Sequence, residues 1–135
     1  MTRILALDWG EKRIGVAFSE GILASPHSVI KRKSKAEDYA RIADLLTETG
    51  AELLVIGLPT TFDPENPIGP QAKRIIKHSR VLKKRLDIPI EMVDETYSTA
   101  DAGEYLRQSG KKGKISIVAA AAAVILQTYL DEKNL

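Results

Sequence analysis

The chain has 135 residues, of which 44% are hydrophobic and 28% charged, with 20 Lys and Arg against 18 Asp and Glu. That is enough sequence for a single domain (residues 1–135) around one core, and a net charge of +2 gives no argument for a nucleic-acid partner on its own. The absence of Cys excludes disulfides, a thiol nucleophile and cysteine-bound zinc, while two His, at 27 and 78, are too few and too scattered for a histidine metal site.

In chain order, ILAL and IGVAF flank the polar stretch DWGEKR, which predicts strands over 3–8 and 13–19 around a turn where Gly10 supplies backbone freedom. A third extended segment, 22–31, completes an antiparallel meander. Ser34-Lys-Ala-Glu37 reads as a capping box opening a helix whose inward face carries Tyr39, Ile42, Ala43 and Leu46 and which Gly50 ends. A strand over 52–57 follows, then a Pro-containing loop and a helix over 71–86 with Ala72, Ile75, Ile76, Leu82 and Leu86 inward. A strand over 88–93 comes next. Ser98-Thr-Ala-Asp101 is a second capping box, for a short helix stopping at Gly110, and a last helix runs over 116–131. Its apolar run, IVAAAAAVIL, is ten residues, too short to span a membrane. Because the first residues enter a strand at once, no secretory leader is expected, and the expected location is cytoplasmic.

A meander followed by helix–strand–helix–strand lets the first, fourth and fifth strands lie parallel in one mixed sheet, joined by right-handed crossovers. Their carboxyl ends then share an edge, the usual place for a site in an open α/β sheet. Asp8, Gly57-Leu58-Pro59, Asp94 and Glu95 all fall there. Asp8 ends a buried strand, so its charge needs a partner: Lys12, Arg13 or a metal ion. Carboxylates gathered without Cys or clustered His suit hard, oxygen-preferring ions such as Mg²⁺ or Mn²⁺. The plainer alternative is that Asp8 caps a turn while Asp94 or Glu95 pairs with a Lys or Arg.

Five motifs, in order along nearly the whole chain, resemble the YqgF family of Holliday-junction-resolvase-like proteins and pre-16S rRNA nucleases. They are Asp8-Trp-Gly-Glu-Lys-Arg-Ile-Gly-Val-Ala, Gly57-Leu-Pro, Gly69-Pro-Gln-Ala, Asp94-Glu-Thr-Tyr-Ser-Thr and Ile125-Leu-Gln-Thr-Tyr-Leu. The resemblance implies a ribonuclease H-like α/β fold with a five-stranded mixed sheet flanked by helices, and a divalent-metal-dependent nuclease. It makes Asp8 and Glu95 the metal ligands, with Asp94, the other acid of the Asp94-Glu95 pair, also catalytic. This chain departs from the family pattern in four places, one of them a proline-containing loop over 60–68 that is slightly longer than usual. Thr96 stands where an Arg is usual, and Tyr97 where a Leu is usual. The acid that opens the family's last helix is also missing: counting back from Ile125-Leu126-Gln127 reaches Val118, and counting forward from Lys114 reaches Ser116. Ser116 reads as a helix cap.

Lys12, Arg13, Lys111, Lys112 and Lys114 surround the same edge and are expected to hold phosphates without reading sequence. Lys31-Arg-Lys-Ser-Lys35 forms a further basic cluster, and the basic residues between Lys73 and Arg85 follow from helix amphipathicity and read as a solvated face. Trp9 and Tyr97 are the only aromatic residues expected at the rim, too few for a base-stacking platform. The expected function is hydrolysis of phosphodiester bonds in 5′-end processing of pre-16S rRNA. The alternatives are resolution of branched DNA, or a nucleic-acid-binding relative weakened by loss of its third carboxylate. A monomer and a homodimer both remain open, and the length argues against a two-domain sugar-kinase or actin-like ATPase.

Overall fold

The computed structural model describes residues 2–59, 65, 68–95 and 116–133. The predicted short helix after Ser98, Thr96, Tyr97 and the Lys111–Lys114 cluster lie outside the described residues. Five strands, β1 (Ile4–Trp9), β2 (Arg13–Ser19), β3 (Ala24–Lys31), β4 (Leu53–Leu58) and β5 (Ile90–Asp94), form one sheet in the order β3-β2-β1-β4-β5. The pairs β1–β2 and β2–β3 are antiparallel, while β1–β4 and β4–β5 are parallel, as the connection rules require. Pro26 is accommodated in the outer strand β3, beside the register shift at Val16 and Ala17.

Helix α1 (Lys35–Thr49) begins as its sequence predicts: Ser34 Oγ accepts from the Glu37 amide. The Ser34 hydroxyl also lies 3.1 Å from the Glu37 carboxylate, and Gly50 closes the helix at φ 68°. Helix α2 (Pro70–Arg85) starts on Pro70, which needs no amide partner in the first turn. The last helix, α3 (Ile117–Lys133), is apolar around nearly its whole circumference and is correspondingly buried.

Strand alternation divides the core. One sheet face sends Leu5, Leu7, Trp9, Ile14, Val16, Leu54 and Ile56 towards α1 and α2, where they meet Ile42, Leu45, Ile75 and Leu82. The opposite face sends Ile4, Ala6, Ala17, Val55 and Val93 towards α3, against Ala122, Ile125, Leu126 and Tyr129. The alanine run of α3 lets its backbone come close to β2, where Gly15 and Ala17 add almost nothing to the surface.

Several details differ from the sequence expectations. Gly10 is not in the left-handed region, which only Gly21 and Gly50 occupy among the described glycines. It is needed for space, since a Cβ there would stand 2.8 Å from the Arg13 carbonyl oxygen, the acceptor of Gly10's own N–H. Trp9 is not at the rim but 2% exposed, because it continues the Leu5–Leu7 alternation into the core. Arg32, within the basic cluster 31–35, turns inward. It bonds Asp38, which is itself 2% exposed, and its guanidinium also holds the carbonyls of Gly10 and Glu11.

Candidate active site

Asp8 follows Ile4 and Ala6 in an alternation that has already committed those two residues to the α3 side, so its carboxylate emerges on that side near the end of β1. Along β5, Ile90 and Met92 pack towards α1 and α2, whereas Glu91 and Val93 face α3. Glu95 inherits the α3 side and Asp94 the other. Between them runs β4, in register with β1 up to Leu7 opposite Ile56 and with β5 up to Leu58 opposite Asp94. The Glu95 amide donates to the Leu58 carbonyl, extending the parallel ladder by one bond and fixing where the side chain starts.

That geometry brings two sequence-distant carboxyl groups into hydrogen-bonding contact: Glu95 bonds Asp8. Burial pushes the Asp8 carboxyl above its ordinary range, and the bond from Glu95 partly offsets this. The partner of Asp8 is therefore a second acid, not Lys12 or Arg13. Two carboxyl groups in contact at a half-buried edge require either a shared proton or a cation between them. Their oxygen-only chemistry is that of a hard divalent ion.

Gly57 makes the pair possible. A Cβ at residue 57 would lie 3.0 Å from Glu95 Oε2 and 2.5 Å from Ile125 Cδ1. The missing side chain is the space through which Glu95 reaches across β4. Gly57→Ala is expected to displace Glu95 from Asp8 and to destabilise the fold by about 1–2 kcal/mol. Thermal unfolding with the Asp8 titration followed by NMR would check it; an unmoved Asp8 titration would refute the role given to Gly57.

The start of α3 closes the other side. Gly15 is the β2 partner of Asp8, and a Cβ there would fall 2.0 Å from the Val118 carbonyl oxygen and 2.7 Å from Val118 Cγ1. Val118 thus lies over the strand position beside Asp8. Ser116 Oγ accepts from the Val118 amide at 3.2 Å, and the Ser116 carbonyl accepts from Ala120, so the expected capping role of Ser116 holds.

Of the other predicted residues, Arg13 is exposed, two places before Gly15 in β2 and hence on the Asp8 side, and Lys12 is exposed in the adjoining turn. Asp94 is exposed and projects from the opposite side of the strand. Among the described residues no cluster of three or more His, Cys, Asp or Glu is placed to hold a metal ion.

The sheet order, the parallel β1–β4–β5 core and the helices on both faces define a ribonuclease H-like fold. Among solved structures, Thermus thermophilus RuvC in complex with a Holliday junction substrate superposes with a TM-score of 0.67 over 99% of this chain and 96% of that one, at 12% identity. Sequence relatives are much nearer. A protein of Fusobacterium nucleatum named "Putative pre-16S rRNA nuclease" is 41% identical over 141 residues, covering 99% of this chain and all of its own length. A Synechococcus protein of the same name is 41% identical over 135 residues, covering 96% of this chain and 78% of its own. Residues 2–132 match the model of the RuvX family, described as Holliday junction resolvase, and the chain belongs to that family. It is a member of a nuclease class that hydrolyses phosphodiester bonds.

Proposed function

We propose that the chain is a cytoplasmic, divalent-metal-dependent nuclease acting on precursor rRNA, with Asp8 and Glu95 as its metal-holding acids. The observation that carries the reading is the contact between two carboxyl groups at the carboxyl edge of the parallel strands. A bound Mg²⁺ or Mn²⁺ would polarise a phosphodiester, lower the pKa of an attacking water and stabilise the leaving oxygen. The chain's own part is to hold the two acids together, with Gly57 open between them and Ile125 and α3 screening them from below. Arg13 and Lys12, exposed on the same edge, would hold the flanking phosphates, as would Lys111, Lys112 and Lys114. Asp94, facing away, would act on the ion only through solvent or by repositioning.

One observation favours this over junction resolution. The nearer relatives carry the rRNA name at about 40% identity, while the likeness to RuvC rests on fold. A weakened site is the second reading, favoured by Val118, one of the two positions at which the sequence lacks the family's acid, lying over Gly15 beside Asp8. The test incubates the protein with Mn²⁺ and labelled pre-rRNA 5′ leader, four-way junction or unstructured RNA, beside Val118→Asp. Cleavage preferring the leader is expected. Preference for the junction would select the resolvase reading. Binding without cleavage, with activity gained by about tenfold or more in Val118→Asp, would select the weakened site.

A further inference from the structure

On the opposite side of the sheet from the acid pair, the end of β1 and the facing flanks of α1 and α2 border a half-open cavity of about 770 Å³. Its charged lining is one-sided: Arg32, Lys35, Arg74, Lys77, Arg80 and Arg85 against the single acid Glu11. Helix amphipathicity explains why α2 has an exposed basic face, but not why the cations of α1, α2 and the segment before α1 converge on one hollow. At its wall, Trp9 stacks on His78 with ring centroids 4.3 Å apart and planes within 8°, and His78 Nδ1 lies 2.7 Å from the Tyr39 hydroxyl. Burial lowers the His78 pKa, and the charges of Arg32 and Lys35 lower it further, so the ring stays neutral in a positive field.

Trp9 is 2% exposed and its indole N–H is covered, so the ring closes the wall of the cavity rather than lining its open part. Several of the lining cations are guanidinium groups on or beside open space, the fork that matches phosphate oxygens. The volume is that of a pocket for a small ligand, and Ile75 and Val81 give it an apolar patch. We propose that this cavity is a second binding site, for a nucleoside polyphosphate whose phosphates meet Arg74, Lys77 and Arg80 and whose base lies against the apolar patch. It is independent of the nuclease centre, which lies across the sheet.

Trp9 is the single tryptophan of the chain, so its fluorescence reports directly on this wall. Calorimetry and Trp fluorescence would be recorded for wild type with adenosine and guanosine triphosphates, inorganic triphosphate and a 5′-phosphorylated RNA trinucleotide. The same titrations would be run on Arg74→Glu/Arg80→Glu and on Lys73→Glu/Lys84→Glu. The second pair changes the charge of α2 equally at exposed positions outside the cavity. A nucleoside triphosphate should bind one per chain and change the Trp9 signal. Affinity should fall about tenfold or more in the cavity pair and stay within about twofold in the other pair. Asp8→Asn should bind as wild type does, which separates this site from the nuclease reading. Absence of saturable binding, equal loss in both double variants, or a trinucleotide or inorganic triphosphate binding as tightly as the nucleotide would overturn the assignment.

Discussion

Asp8→Asn should unfold at a higher temperature than wild type at neutral pH in the absence of divalent ions. Burial holds the Asp8 carboxyl above its ordinary value of 3.8, so the folded chain retains a proton that the unfolded chain releases. Stability is therefore lost as pH rises from 3.8 through the raised folded-state value, and above that the full cost of the buried charge remains. Asn carries no charge, and its amide can keep a hydrogen bond to the Glu95 carboxyl group without the cost of burying an anion. The gain should shrink as pH falls towards 3.8, where wild-type Asp8 is also neutral. Millimolar-range Mn²⁺ should raise the unfolding temperature of wild type and leave the variant unchanged, since a ligand stabilises only the form that binds it. Equal unfolding temperatures at every pH would mean that Asp8 is not held against Glu95 as described.

Gly15→Ala is expected to be the most damaging single substitution outside the large core side chains. The added Cβ would meet the Val118 carbonyl oxygen at 2.0 Å and its carbon at 2.4 Å, and these are backbone atoms that no rotamer change can move. Gly15 does not hold a positive φ, so alanine suits its strand conformation and the penalty is wholly steric. Relief requires the first turn of α3 to lift from β2, opening the alanine-lined contact behind it. A loss of about 3 kcal/mol follows, a fall in unfolding temperature on the order of 10 °C for a domain of this size. Because Gly15 pairs with Asp8, cleavage should fall with stability. A variant that melts within about two degrees of wild type would show that α3 does not press on β2 there.

The order and direction of the strands were readable because short apolar runs bounded by turns leave few ways to connect them. The antiparallel meander, the three parallel strands and the capping of α1 and α3 by Ser34 and Ser116 all rest on such local signals. The acid pair was half legible. Topology placed Asp8, Asp94 and Glu95 at one edge, but only strand alternation separates them, sending Glu95 over Gly57 and Asp94 the other way. The same alternation, Leu5–Leu7–Trp9, could have placed Trp9 in the core, where the glycine-bearing turn beside it suggested a rim. His78 could not have been found so simply. It is buried because Tyr39 of α1 and Trp9 of β1 meet it there, and that pairing joins elements far apart in sequence. Nor does a basic cluster at 31–35 reveal that Arg32 turns inward to Asp38 while its neighbours stay in water. Counting alone left two positions for the missing acid of the last helix. In the structure the backbone of Val118 lies against Gly15, the strand partner of Asp8, and the Ser116 hydroxyl caps the helix.

The most direct test of the carboxylate pair is Mn²⁺-dependent cleavage of the pre-rRNA 5′ leader by wild type and by Asp8→Asn at equal concentration. Wild type should cut, and the variant, although folded, should be slower by about three orders of magnitude or more. Cleavage that persists in Asp8→Asn would place the chemistry elsewhere in the protein and contradict the account.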